Sequence, residues 1–490
     1  MHSRPQTGGM YRPLSQAQLE TVHEAALKVL ETTGIGFGPG LEEAARLMEQ
    51  AGAEVDRDRG RIVLPREMVL EHLAKAPKQV VLHSRDGKND LDLTEHQVHL
   101  GTGGAAVKVL DLETGEARSS TLSDLYELGR LVDRLDNIHF FLRPCIPTDI
   151  PESAYDVNVF YTCFQATGKH VMAGVNDIDG LHQVMDLAAT IAGGMEQVRG
   201  KPFFSIITSF IISPLKLDTH SVRIMLECAK NRIPVALSGA PMAGSTSPLT
   251  MAGTLAQTHA EQMAGIVLCQ LASPGSPLLY GGIPSRADLR TMNYCGGAVE
   301  CGMMNAAIHQ LAHHIQVPNY NSSGLSDSKL PDAQAGWEKG MTTLLTAMAG
   351  SNYVHHAAGM LESMICVAGE QYVIDDEIIG MTCRVLEGID VDEERLALEV
   401  IDEVGPGGEF MTADHTFEHM YSEYFGGNGV TDRNHRTTWE RSGGLDARER
   451  ARGIAKRLLQ AEAVLHIPQE VDQRIRERFD ILLSVAHKKE

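Results

Sequence analysis

Pro318-Asn319-Tyr320-Asn321-Ser322-Ser323-Gly324-Leu325-Ser326-Asp327-Ser328-Lys329-Leu330-Pro331-Asp332-Ala333-Gln334-Ala335-Gly336-Trp337-Glu338-Lys339 begins as an apolar, strand-like run, passes through a polar loop and enters a long helical pattern. Such strand-to-helix crossovers are the repeating unit of α/β proteins and the place where they carry their chemistry. From Ser322 onward the loop holds the carboxylates Asp327, Asp332 and Glu338, the hydroxyls of four serines, Lys329, Lys339 and Gln334, with Gly324 and Gly336 between them.

The same unit recurs along the chain. Apolar runs at Val98 to Gly101, Phe140 to Cys145, His170 to Val175, Phe203 to Thr208, Pro234 to Gly239, Leu278 to Gly282, Pro318 to Gly324 and Tyr353 to Gly359 alternate with helical stretches long enough to be crossovers. Strands apolar on both faces belong to buried parallel sheets, and eight such units predict an α/β fold of the (β/α)8 TIM-barrel type. An open doubly wound sheet is the alternative the pattern allows. The strand ends Gly101-Thr102-Gly103-Gly104, Ser238-Gly239-Ala240, Gly281-Gly282, Ser322-Ser323-Gly324 and Ala357-Ala358-Gly359 are all small. They predict either tight turns or a wide mouth suited to a bulky cofactor or partner.

Flanking segments complete the expected organisation: residues 1–95 as a helical and hairpin segment packed on the barrel, 96–360 as the barrel, and 361–490 as a C-terminal helical extension. Ser15 and Gln18 form a capping box before a helix whose face carries Leu19, Val22, Ala26 and Leu30 and which stops at Gly34. A second helix runs from about Leu41 to Ala51, and a third begins with Pro65 in its first turn. Asp86-Gly87 and Thr114-Gly115 read as hairpin turns, and only the first dozen residues read as disordered. Beyond Leu361 the strand signal fades, with Gly405-Pro406-Gly407-Gly408 as a break between helices.

The 490 residues carry 64 Asp and Glu against 43 Lys and Arg, a net charge of -21. That balance repels nucleic acid and anionic lipid. The 8 cysteines include no Cys-x-x-Cys pair and read as buried free thiols in a reducing compartment. Met1 to Gln6 lack the apolar core of a secretory signal and no later span is apolar enough to cross a bilayer, so a cytoplasmic protein is expected.

His415-Thr416-Phe417-Glu418-His419 has the His-x-x-Glu-His spacing of inverted zinc proteases, but little chain remains downstream to supply the third ligand, and no bound metal is expected. The adjacent pairs His313-His314 and His355-His356 read as poor ligand sets, because neighbouring residues on a helix or strand point apart. Neither a dinucleotide fingerprint, a phosphate loop nor a Gly-x-Ser-x-Gly elbow occurs. What remains is a ring of polar residues at strand ends: Arg143, Asn176, Asp177, Thr208, Tyr280, Arg286, Asn321, Asp327 and His356, followed by Glu362 and Glu370.

Taken together, these segments resemble the trimethylamine methyltransferase family, in particular its branch without pyrrolysine, which includes glycine betaine methyltransferases. The resemblance is carried by Leu14-Ser15 through Glu31-Thr32-Thr33-Gly34, by Tyr280-Gly281-Gly282, and by Ser326-Asp327-Ser328-Lys329 with Asp332-Ala333-Gln334-Ala335-Gly336 and Glu338-Lys339. It continues through Gly369-Glu370-Gln371, Asp375-Asp376-Glu377, Gly405-Pro406-Gly407-Gly408 and His415-Thr416.

The resemblance implies a barrel, commonly a homo-oligomer, that passes a methyl group from a methylated amine to the cob(I)alamin of a partner corrinoid protein. Founding members use pyrrolysine, whereas this chain has only standard residues. A quaternary ammonium already bears the positive charge that lets a tertiary amine leave, so a substrate such as glycine betaine is implied. On this reading Tyr280, Tyr320 and Tyr353 are candidate faces for the ammonium, with Asp327 or Glu370 as counter-charges. Arg286, Asn321 and His356 are candidate donors to a carboxylate. Gly103, Gly281, Ser326 and Lys329 are the residues expected to meet the corrinoid, Lys329 also standing as a location for the replaced pyrrolysine. No catalytic acid, base or nucleophile is assigned. A metal-dependent barrel hydrolase and a non-catalytic betaine-binding or corrinoid-protein scaffold are the alternatives.

Overall fold

A computed structural model describes residues 6–484. Its organising feature is a set of parallel strands at the expected places: β1 (His99–Thr102), β2 (Phe141–Leu142), β3 (Val171–Ala173), β4 (Phe204–Thr208), β5 (Val235–Gly239), β6 (Leu278–Gly282), β7 (Tyr320–Ser322) and β8 (Tyr353–Ala358). Strands β2 to β6 form one sheet in sequence order, and β7, β8 and β1 form a second, with every pairing parallel.

The two sheets meet at both edges. A parallel bridge joins Tyr280 to Asn319, where the Tyr280 N–H donates to the Pro318 carbonyl at 2.9 Å. At the other edge the His139 N–H donates to the Leu100 carbonyl at 2.8 Å.

Side-chain alternation divides each strand between two surroundings. Phe140, Leu142, Met172, Ala236, Leu279, Tyr320 and Tyr353, from both sheets, form one apolar cluster. Their sequence neighbours Phe141, Val171, Val235, Leu278 and Val354 pack instead with the helices in the main core. The hairpin Val81–Leu82 with Leu91–Asp92, turning through Asp86-Gly87, adds Leu82 and Leu91 to the inner cluster. It lies at the strands' N-terminal ends, since the His83 N–H donates to Pro202 just before β4.

The amino-terminal helices Gln16–Thr32, Glu42–Gln50 and Arg66–Leu73 pack on the long helix Met251–Ala272. Ser15 and Gln18 make the reciprocal capping box, and Leu19, Val22, Ala26 and Leu30 are buried as their spacing predicts. Pro65 stands at the N-cap rather than inside the first turn.

Two further expectations are corrected. Residues 8–11 are not loose: their N–H groups donate to the backbone of His96 and Met348, while residues 1–5 lie outside the described residues. Strand structure also continues past Leu361, because Cys366–Ala368 pairs in parallel with Lys108–Leu110, itself paired to Ala117–Ser119 around the predicted turn at Thr114-Gly115. Cys366, Val367 and Ala368 are too few to show a period-two pattern.

Among the described residues no helix is long and apolar enough to cross a membrane. All cysteines are free thiols, buried except the partly exposed Cys295.

Candidate functional site

From the first residues of β7 and β8, Tyr320 and Tyr353, up to His355 and His356 further along β8, five rings follow one another. Phe140 stacks on Tyr353 with centroids 3.7 Å apart, Tyr353 lies 5.8 Å from Tyr320, and Tyr320 stacks on His355 at 4.1 Å. His356 completes the column, 3.8 Å from His355.

Two successive strand residues ordinarily point to opposite faces. Here His356 takes a left-handed φ of 67°, and the pairing of β8 with β1 shifts register between Val354 and Ala358. The resulting bulge turns both imidazoles to one side, correcting the expectation that His355 and His356 point apart. His313 and His314 do diverge, towards His96 and His23 respectively.

The column is buried and uncharged. His355 bonds through Nδ1 to the Asn321 carbonyl, and burial lowers its pKa to about 3. His356 bonds through Nδ1 to the Ser322 hydroxyl at 2.8 Å, and burial, then His355 and Lys339, holds it well below the ordinary imidazole range. The Tyr320 and Tyr353 hydroxyls are buried with no hydrogen-bond partner among the described residues. Burying a hydroxyl without a partner costs about 1–3 kcal/mol.

The polar crossover lies beside this column and is held from the helix it precedes. Glu338 accepts from the Ser326 hydroxyl at 2.7 Å, from the Asp327 N–H at 2.9 Å and from Gln334 at 2.9 Å. Asp332 caps the helix Ala333–Ala349. Lys339 donates to the carbonyls of Gly324 and Met360, and Asp375 accepts from the Gly359 N–H at 2.7 Å. The loop is thereby latched to the segment after β8, which also donates from Glu362 N–H to Ser328 and from Ser363 N–H to Ser326.

Of the expected site residues, Tyr320, Tyr353 and His356 lie in the column. Tyr280 faces the helices, its hydroxyl 3.0 Å from His259 Nδ1. Asn321 likewise turns outward, donating to Asn305 and to Ser351. Asp327 accepts from the Ser363 hydroxyl and the Gly297 N–H, while Lys329 is exposed and donates to the Asp327 carbonyl. Arg286 is exposed, 3.6 Å from Glu300. Glu370 is fully buried and paired with Arg448 and Arg452, each at 3.2 Å.

The glycines mark close packing. A Cβ on Gly281 would sit 2.3 Å from the Leu237 carbonyl oxygen, and one on Gly103 would sit 2.9 Å from the His355 Cβ. Ser326 is buried.

The column and the contacts beside it also include Phe140, His355, Ser322, Lys339 and Asp375, which the sequence reading did not single out as site residues. Period-two alternation could have grouped Tyr320, Ser322, Tyr353 and His355 and separated them from Tyr280. No local signal announces the Lys339–Asp375 pairing. His415 and His419 lie on the short helix Asp414–His419, with His419 at 3.4 Å from Glu394. Among the described residues no group of three His, Cys, Asp or Glu is placed to hold a metal ion.

Comparison with known proteins joins this geometry to a chemistry. The family model for trimethylamine methyltransferase (MTTB) matches residues 3–480. The chain is 35% identical over 462 residues to trimethylamine methyltransferase MttB of Desulfitobacterium hafniense (strain DSM 10664 / DCB-2), covering 94% of this chain and 92% of that protein. It is 31% identical over 467 residues to the glycine betaine methyltransferase of Desulfitobacterium hafniense (strain Y51), covering 95% and 96%. It is also 34% identical over 434 residues to MttB of Methanosarcina barkeri, covering 88% and 86%. This chain therefore belongs to the trimethylamine methyltransferase family and is a methyltransferase.

Proposed function

We propose that the protein moves a methyl group from a quaternary amine, glycine betaine or a close relative, to the cob(I)alamin of a separate corrinoid protein. The supporting observation is the column from Phe140 through Tyr353, Tyr320 and His355 to His356, whose imidazoles are held neutral. A quaternary ammonium brings its own charge, needs no proton, and is attracted by aromatic faces with about 0.5–2 kcal/mol per contact. A neutral amine would need an acid or an electrophile, and this column presents neither.

We further propose that the two sheets close into one (β/α)8 barrel, supported by the Tyr280–Asn319 bridge at one edge and the His139–Leu100 hydrogen bond at the other. Substrate then enters at the strands' C-terminal ends, where His355 and His356 stand.

The chemistry is an in-line displacement. The C–N bond breaks with its electron pair retained on nitrogen, a tertiary amine leaves, and the two electrons of the cob(I) centre form the new bond to carbon. The protein contributes orientation and exclusion of water, with no proton transfer. Tyr320 and Tyr353 with the two imidazoles face the cation, and His356 and Arg286 are the proposed donors to a substrate carboxylate. The corrinoid is proposed to approach past Gly103, Ser326 and Lys329, the reaction running in the cytoplasm.

The recognition step has its own test. Glycine betaine and its carbon isostere 3,3-dimethylbutanoate have the same shape and differ in the ammonium charge. Calorimetric titration is expected to show at least about tenfold tighter binding of the betaine, a difference of about 1.4 kcal/mol. Equal affinities contradict recognition of the cation.

A further inference from the structure

Residues 389–424 make an excursion that builds no core of its own. Arg384 holds both ends of its neck, donating to the Gly388 carbonyl at 2.7 Å and to the Glu423 carbonyl at 3.0 Å. Between these points the short helices Glu393–Leu396, Leu398–Val404 and Asp414–His419 bury no residue. Ile389, Val391, Leu398, Met411, Tyr421 and Tyr424 are between 67 and 87% exposed.

Side chains of this size together offer on the order of 700 Å² of apolar surface, near the about 800 Å² per partner of a stable interface. Ordinary monomers rarely leave so much uncovered. The surface is therefore built to be covered.

Placement and charge restrict what covers it. The helix Gly369–Glu387 starts beside Gly359, which follows β8, since the Ala368 N–H donates to the Gly359 carbonyl at 3.2 Å, and further along it Asp376 accepts from the N–H of Asn137, which precedes β2. The excursion thus leaves from the strands' N-terminal ends, away from the end where a methyl acceptor has to dock.

It also carries eleven carboxylates against one arginine, Arg395, which pairs with Asp390 and Asp392 inside the excursion. That charge repels nucleic acid, anionic lipid and a second arm like itself. The stretch just downstream is its complement: residues 433–457 hold eight Lys and Arg against three Asp and Glu. Arg448 and Arg452 are held by Glu370 and Lys456 by Glu113, which leaves Arg433, Arg436, Arg441 and Arg457 as the exposed arginines.

We propose that residues 389–424 are an exchange arm that seats on the basic 433–457 surface of a second copy of this chain. Because arm and seat lie on the same chain, a two-fold arrangement uses both pairs reciprocally. The inference is independent of the methyl-transfer reading, since neither surface belongs to the ring column.

Sedimentation velocity of the full chain tests it, with the wild type compared against L398S/Y421S/Y424S and R436E/R441E. These positions are exposed on their own chain, so substitution should cost the fold little, which circular dichroism checks. The wild type is expected to sediment as a dimer or larger assembly, and both variants to self-associate at least about tenfold more weakly, or about 1.4 kcal/mol. A monomeric wild type overturns the proposal, as does co-sedimentation with zwitterionic vesicles in place of self-association. Undiminished assembly of the arm variant overturns it too, and undiminished assembly of R436E/R441E overturns the assigned seat.

Discussion

Lys339 Nζ lies 3.1 Å from Asp375 Oδ2, and both side chains are completely buried. Through this pair the helix after β7 and the helix after β8 are tied to the two loops that flank the ring column. Lys339 reaches the Gly324 and Met360 carbonyls, and Asp375 the Gly359 N–H and the Gln371 amide. Burial pulls the lysine pKa down and pushes the carboxyl up, each opposed by the partner's charge. Removing one charge strands the other, so K339M and D375N should each destabilise by about 3–5 kcal/mol. The double variant K339M/D375L should lose less than the sum, as read from urea unfolding midpoints. Additive losses would show that the two groups act separately.

The unpartnered hydroxyls of Tyr320 and Tyr353 make an opposite prediction for stability. Y320F and Y353F remove buried groups that lack partners, so each should be neutral or stabilising by about 1 kcal/mol in thermal unfolding. Y320L, which removes the ring, should weaken glycine betaine binding by about tenfold. Unchanged affinity in Y320L would take that ring out of the recognition surface.

Glu370 separates substrate capture from architecture. Two guanidinium groups converge on its carboxylate, so E370Q leaves Arg448 and Arg452 against a neutral amide and should lower stability by about 1–3 kcal/mol. Substrate affinity in the folded variant is expected to stay within about twofold, a change of about 0.4 kcal/mol. A large loss of affinity with no loss of stability would instead place Glu370 against the ammonium.

Acid sensitivity follows from the inner histidines. Burial lowers the His170 pKa to about 4, its ring nitrogens bonded to the His83 carbonyl and the Ser205 hydroxyl. The folded form keeps the ring neutral while the unfolded chain takes up a proton below about pH 6.5. Stability from this group is therefore complete above that pH and falls away as the pH drops towards 4, by on the order of 3 kcal/mol. H170Q should flatten the fall in urea midpoint between neutral pH and pH 4.5; an unchanged slope would assign the acid sensitivity elsewhere.

Much of this was legible from residue pattern. The eight apolar runs fell on β1 to β8 because strands buried on both faces leave an unbroken apolar signature. The Ser326 to Lys339 crossover was picked out by composition, yet its carboxylates turned out to serve the loop itself, Glu338 gathering Ser326 and the Asp327 backbone. Tyr280 and Tyr353 looked equivalent in the sequence, but alternation sends one towards His259 and the other into the column. His355 was passed over, and was expected to point away from His356, because a bulge, which depends on pairing with β1, cannot be read from β8 alone. The Lys339–Asp375 pair was hidden for the same reason: its partners come from different helices and meet only when both strands are in place.

The most direct measurement mixes the protein with chemically reduced cob(I)alamin and follows the absorbance change to methylcob(III)alamin, comparing glycine betaine and related quaternary amines with trimethylamine. The account predicts methyl transfer from at least one quaternary amine and none from trimethylamine. Transfer from trimethylamine, with every quaternary amine inert, would contradict it.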